Sequence, residues 1–187
     1  NALWLKAIER REQGELHESM ELARWILKLQ PYFPRVWNFQ SWLLAFELAL
    51  DTRDPEERWD WVGESIDLLR GEGLRANPMS REIHRQLSYL FWVKLGESRD
   101  DASPFFREKL FEQWQRLLGP GGTDPASQAK LLRNPDARLR LDLVDKFNMD
   151  PQLMAEISEQ FPGLDWRVPG SHAIYWAVQG LLRQETG

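Results

Sequence analysis

Apolar residues recur through this chain at spacings of three and four, and nowhere do they alternate with polar ones between hairpin turns. The first spacing lays an apolar stripe along a helix, whereas a half-buried strand needs the second. The pattern therefore predicts an all-α fold. Leu16, Met20, Ala23 and Leu27 form such a stripe in a helix over 16–30, which meets a first helix over 2–13 at Gly14 and is closed by Pro31 and Pro34. A third helix over 35–50 is apolar nearly all round (Val36, Trp37, Phe39, Trp42, Leu43, Leu44, Phe46), which implies burial on both sides. Asp54-Pro55-Glu56-Glu57 is a start signal: an Asp cap, Pro in the first turn, and acids at the positive end of the helix dipole. The helix it opens is expected to fade near Gly71 and Gly73. Others are expected over 81–95 and from Ser103-Pro104, followed by shorter ones from Asp124-Pro125 and over 136–147 and 150–161. The last is expected from near Ser171 to about Gln184. Gly119-Pro120-Gly121-Gly122 is the clearest break and is expected to be a flexible joint.

Composition narrows the functional classes. With 24 basic and 29 acidic residues, net charge −5 and no Lys/Arg-rich run, the chain lacks the footprint of a nucleic-acid binder. Without cysteine it has no disulfide, thiolate metal site or cysteine nucleophile, and it suits a reducing or an oxidising compartment equally. The longest apolar stretch, 39–50, is too short to span a membrane and contains Gln40, Ser41 and Glu47. Helix-like sequence starts at Asn1 with no initiator Met, so a piece of a longer protein is expected. Ten Trp in 187 residues call for a structural or a binding explanation.

The chain is also self-similar. Leu3 and Trp37 are 34 residues apart, as are Ala7 and Ser41. Leu3-x3-Ala7-x6-Gly14, then small Ser19 and Ala23 and a closing Pro31, resembles a tetratricopeptide repeat, the 34-residue helix-turn-helix unit. The same skeleton returns at Trp37-x3-Ser41-x6-Leu48, at His84-x3-Ser88-x6-Leu95 and at Trp176-x3-Gly180-x6-Gly187. A small residue at the helix crossing lets two helices approach closely, and the large one fills the gap to the next pair. The spacing is irregular: Trp37 to His84 is 47 residues, and 119–170 matches poorly. The resemblance implies a right-handed array of antiparallel helix pairs. Three pairs would occupy 1–118, a hinge 119–124, and further short helices 125–187, ending in the first helix of another repeat.

In such repeats the first helices line a concave groove. Carried onto this chain, the groove positions are Trp4, Ile8 and Arg11; Arg35, Asn38, Trp42 and Ala45; and Glu82, Arg85, Tyr89 and Trp92. Arg11, Arg35 and Arg85 beside Asn38, Trp42, Tyr89 and Trp92 would suit an extended peptide with acidic or aromatic groups. Trp42 and Trp92 are equally compatible with helix-stacking core. The resemblance thus implies a scaffold that binds another protein or peptide, with no catalysis, no cofactor and no metal. Two alternatives stand beside it: a glycan-binding or glycoside-processing protein using clustered Trp and the carboxylates of 51–60, and a homo-oligomerisation module.

Sites that mimic known chemistry are weaker. His17-Glu18-Ser19-Met20-Glu21 has Glu where a zinc helix needs its second His. The acids of 51–60 lack the central Gly of a calcium loop, and Gly119–Gly122 lacks the Lys-Ser/Thr ending of a phosphate loop. Asp165, Ser171 and His172 have the residue types of a hydrolase triad. Neighbours on a helix point about 100° apart, so Ser171 and His172 cannot easily meet. Ser171 is expected instead to cap a helix, His172 to lie on its face, and Asp165 with Arg167 to tie down the preceding loop.

Overall fold

The computed structural model describes residues 2–97 and 100–183; Gln184 and Gly187, which figured in the last expected helix and repeat, lie outside them. Among the described residues the regular structure is helical throughout, with no strand. Ten helices follow one another. They are α1 (Ala2–Glu12), α2 (Leu16–Leu29), α3 (34–51), α4 (55–76), α5 (81–96), α6 (Ser103–Leu118), α7 (Pro125–Arg133), α8 (137–146), α9 (Pro151–Gln160) and α10 (Pro169–Leu182).

Four of the starts follow from Asp residues. Asp54 accepts from the Glu56 amide, Asp124 from Ser127, Asp136 from Leu139 and Asp150 from Gln152, each satisfying an amide that the first turn leaves without a partner. Gly14, at φ +78°, turns the chain from α1 into α2 in a conformation that suits glycine.

Four helices change character part-way. At Leu43–Leu48, Leu69–Gly73, Leu90–Gly96 and Asp142–Lys146 the turns widen to π-helix, and the Ala49, Leu74, Glu97 and Phe147 amides reach back five residues. Through one of these wide turns α4, rather than fading at Gly71 and Gly73, continues to Ala76. The widening also shifts the side-chain register. In α5 the adjacent pairs Leu90-Phe91 and Lys94-Leu95 are all buried, and in α3 Leu43, Leu44, Ala45 and Leu48 are.

The chain divides into two compact units, residues 1–87 with 180–187, and residues 88–179. In the first unit α1 packs along α2, and α3 along α4. The crossings fall at the small residues of the repeat-like pattern. Ala7 is fully buried and its carbonyl accepts from the Ser19 hydroxyl at 2.7 Å; Ser65 donates to the Ser41 carbonyl at 2.9 Å. Gly180 of α10 lies so close to α5 that a Cβ there would come within 3.2 Å of the His84 Cβ. Among the large positions, Trp37 and His84 are buried, but Leu3 is exposed.

The second unit is built around aromatic rings. Trp114, Trp166, Trp176, Tyr175, Phe91, Phe106 and Phe147 are all fully buried. Ser88 donates to the Ala173 carbonyl at 2.8 Å, joining α5 to α10. Lys94 and Asp100 form a buried ion pair with Lys94 over the Phe106 ring. The 3-10 turn Gly119–Gly121 lies within this unit, and the Gly122 carbonyl accepts from Gln128.

Candidate functional site

The C-terminal Ser/His/Asp cluster is a structural knot. Helix α10 starts at Pro169, so Ser171 is inside its first turn rather than capping it, and Ser171 is buried. The chain before the helix folds back on it, and the single Ser171 hydroxyl proton goes to the Asp165 carbonyl, not to His172. His172, expected on the helix face, is fully buried. Its Nε2 donates to the Trp166 carbonyl at 2.9 Å, and its ring stacks on Phe91 at 4.7 Å with Trp114 edge-on at 4.4 Å. The Asp165 carboxylate is engaged by the Arg167 guanidinium and amide and by the Gln128 amide. Burial pushes the Asp165 carboxyl up, yet these hydrogen bonds outweigh it and hold the group below its ordinary value. Asp165 and Arg167 do tether the loop, as their pairing suggested. Arg167 reaches on to Gln115 at 2.6 Å and lies over the Phe111 ring.

The residues expected at groove positions that fall in the first unit lie on α1, α3 and α5, and several connect those helices. Trp4 of α1 packs edge-on against Phe39 of α3 at 4.9 Å, and Arg11 of α1 pairs with Glu47 of α3. Asn38 of α3 donates to the Glu82 carbonyl of α5 at 3.2 Å. Arg35 and Arg85 are exposed. Trp42 is half-buried and stacks on Phe46 at 4.3 Å, while Ala45 is fully buried. The π-turn that begins at Leu43 explains Ala45: a position counted on a regular helical period moves inward once the turn widens. In the second unit Tyr89 and Trp92 are 39% and 57% exposed, so Trp92 is not core.

A feature that no motif announced lies elsewhere in the first unit. An open cleft of about 750 Å³ lies among α2, α3 and α4. Leu27, Trp37, Leu68 and Ala76 give it apolar walls; Arg24, Lys28, Glu64, Glu72 and Arg75 stand on its rim; Pro31 and Tyr32 close one end. The Trp37 indole and the Asn77 amide both donate to the Pro31 carbonyl, which fixes that end. Gln40 also lines the cleft, is only 2% exposed, and has no hydrogen-bond partner for its side-chain oxygen. The available signal was Gln40, one of three polar residues, with Ser41 and Glu47, that interrupt an apolar helical stretch.

Among the described residues no three His, Asp or Glu side chains cluster so as to hold a metal ion, and no helix is long and apolar enough to cross a membrane. The chain matches no protein-family model, no curated protein and no solved structure.

Proposed function

We propose that this chain is an interaction module, a tetratricopeptide-like stack of antiparallel helix pairs with right-handed twist, that binds a partner protein or peptide without catalysis. The observation that carries the proposal is the side-by-side linkage of α1, α3 and α5 in the first unit. Trp4–Phe39, Arg11–Glu47 and Asn38–Glu82 connect the first helix of each sequence pair to the next. A face built from successive first helices is where such a module offers its groove. Beside those contacts Arg35 and Arg85 remain exposed and Trp42 half-exposed, a combination of cation and aromatic ring that suits anchoring contacts.

Affinity capture with the intact chain, repeated with Trp42→Ala and Arg85→Ala combined, tests the assignment. Capture of a defined partner is expected to fall at least about tenfold, since anchoring aromatics and arginines each contribute ~2 kcal/mol or more at interfaces. Unchanged far-UV circular dichroism would confirm that the variant still folds. Undiminished capture removes the first-helix face from the proposal.

A further inference from the structure

We infer that two copies of this chain pair through the outer face of α2, running antiparallel about a twofold axis near Trp25. The inference goes beyond the partner-binding proposal above and uses none of the first-helix residues that carry it.

Three observations carry it. Glu18, Glu21, Trp25, Lys28 and Leu29 share one arc of about 100° around α2, opposite the buried Ala23 and Leu27. At the C-terminal end of that arc stands an apolar ridge: Trp25 is 57% exposed, Leu29 68%, and Tyr32 just beyond the helix 80%. At the N-terminal end the surface is hollow instead. A depression of about 350 Å³ is lined there by Lys6 of α1 and by His17, Glu18, Glu21, Leu22 and Trp25. Charge divides the same way, with Glu18 and Glu21 in the first half of the helix and Arg24 and Lys28 in the second.

Ridge and hollow, base and acid, lie at opposite ends of one helix, so the face is complementary to itself reversed. A parallel copy would set ridge on ridge and like charge on like charge. An antiparallel copy sets Leu29 of each chain over the hollow of the other, and Lys28 of each across from Glu21 of the other. Every contact then occurs twice, as an isologous twofold interface requires, and opposed helix dipoles favour the same direction. Within the chain Glu21 is 2.8 Å from Arg24, but both side chains are exposed, and such a surface pair gives way at little cost. Lys28 lies over the Trp25 ring and forms no ion pair among the described residues, which leaves its charge for a carboxylate of the second copy. An interface centred on one helix is small, so the pair is expected to dissociate on dilution.

Sedimentation velocity of the full chain over a concentration series tests this. The mass is expected to rise from one chain toward two and no further. Glu21→Lys and Lys28→Glu, both at exposed positions, are each expected to weaken pairing at least about tenfold, since each turns two attractions into two repulsions. Mixing the two variants is expected to restore pairing, because the altered positions then face each other with opposite charge. A variant that had failed to fold could not be repaired by mixing. Trp25→Ala is expected to weaken pairing by a similar factor. The mass of one chain up to about 1 mM, assembly beyond two copies, or charge variants that pair undiminished would overturn the inference. A mixture that stays unpaired overturns the antiparallel register and with it the proposal. Pairing lost instead on changing Trp42 and Arg85 moves the contact to the first-helix face. If the chain stays single while Trp25→Ala abolishes capture of another protein, the α2 face belongs to that protein and self-pairing falls.

Discussion

In the first unit, helices close on one another through residues with almost no side chain; in the second, the space is filled by some of the largest side chains there are. Ala7 against Ser19 and Ser41 against Ser65 bring backbones near enough for hydroxyls to reach carbonyls of the facing helix. Around His172 the second unit instead gathers Phe91, Trp114 and Trp166, and it ties its loops with buried polar groups. Gln128 serves both Asp165 and the Trp166 amide, and Lys94 is buried against Asp100. The difference is between tolerance of size and tolerance of charge. A close crossing fails when volume is added. A desolvated polar knot fails when one partner is removed.

The sharpest way to break that contrast is in the second unit. Asp100→Ala removes the carboxylate paired with the Lys94 side chain, which is 2% exposed, and is expected to cost about 3–5 kcal/mol in urea denaturation, the usual range for removing one partner of a buried ion pair. Replacing Lys94 by Met in the same chain removes the buried cation as well and should recover more than half of that loss. No recovery would mean that Asp100 matters through the Ala102 amide it accepts from, not through the pair. A smaller effect is expected in the first unit from Ala7→Leu, which forces volume into the α1–α2 crossing at about 1–3 kcal/mol. Leu5→Ala on the same helix, at an exposed position, should stay within about 0.5 kcal/mol. If the two changes cost the same, the crossing is not tight and the comparison loses its first half.

What the sequence made legible follows the same division. Asp-Pro starts at 54, 124 and 150 announce helices because capping is decided within four residues, and the structure places each cap there. The small positions Ala7, Ser19, Ser41 and Ser88 were likewise visible from spacing alone, and all four make helix–helix contacts. The π-turns were not, since nothing in Leu43–Leu48 or Leu90–Gly96 distinguishes a wide turn from a regular one. That blindness misplaced Ala45. Nor does any spacing rule link Gln128 to Asp165, 37 residues away. His172 could be placed on a helix face but not inside the core, because its aromatic neighbours come from α5, α6 and the 161–168 loop. Of the candidate sites, the first-helix residues could be named from the repeat pattern. The cleft could not, because it depends on how α2 and α4 flank Gln40.

The mildest way to separate the units is acid. His84 in the first unit is buried, and desolvation lowers its affinity for a proton, assisted by the charge of Arg183 and opposed by its hydrogen bond to the Ser80 carbonyl. Between its ordinary value of 6.5 and its lower folded value, the unfolded chain carries a proton at His84 that the folded chain does not. Protons therefore favour unfolding there, and the stability His84 preserves at neutral pH is lost as pH falls below about 6.5. In the second unit Asp165 is also held below its ordinary value, 3.8, so the sign is the same but the window is lower, opening only below about pH 3.8. Amide exchange followed from pH 7 to pH 3 is expected to show helices around His84 loosening first and the loop at Asp165 holding until the carboxylate range. His84→Phe should remove the upper step, since an uncharged ring has no proton to gain, and Asp165→Asn should flatten the lower one. If both regions loosen together at one pH, the polar knot and the buried imidazole are not separate acid sensors, and the two units answer to a shared titration instead.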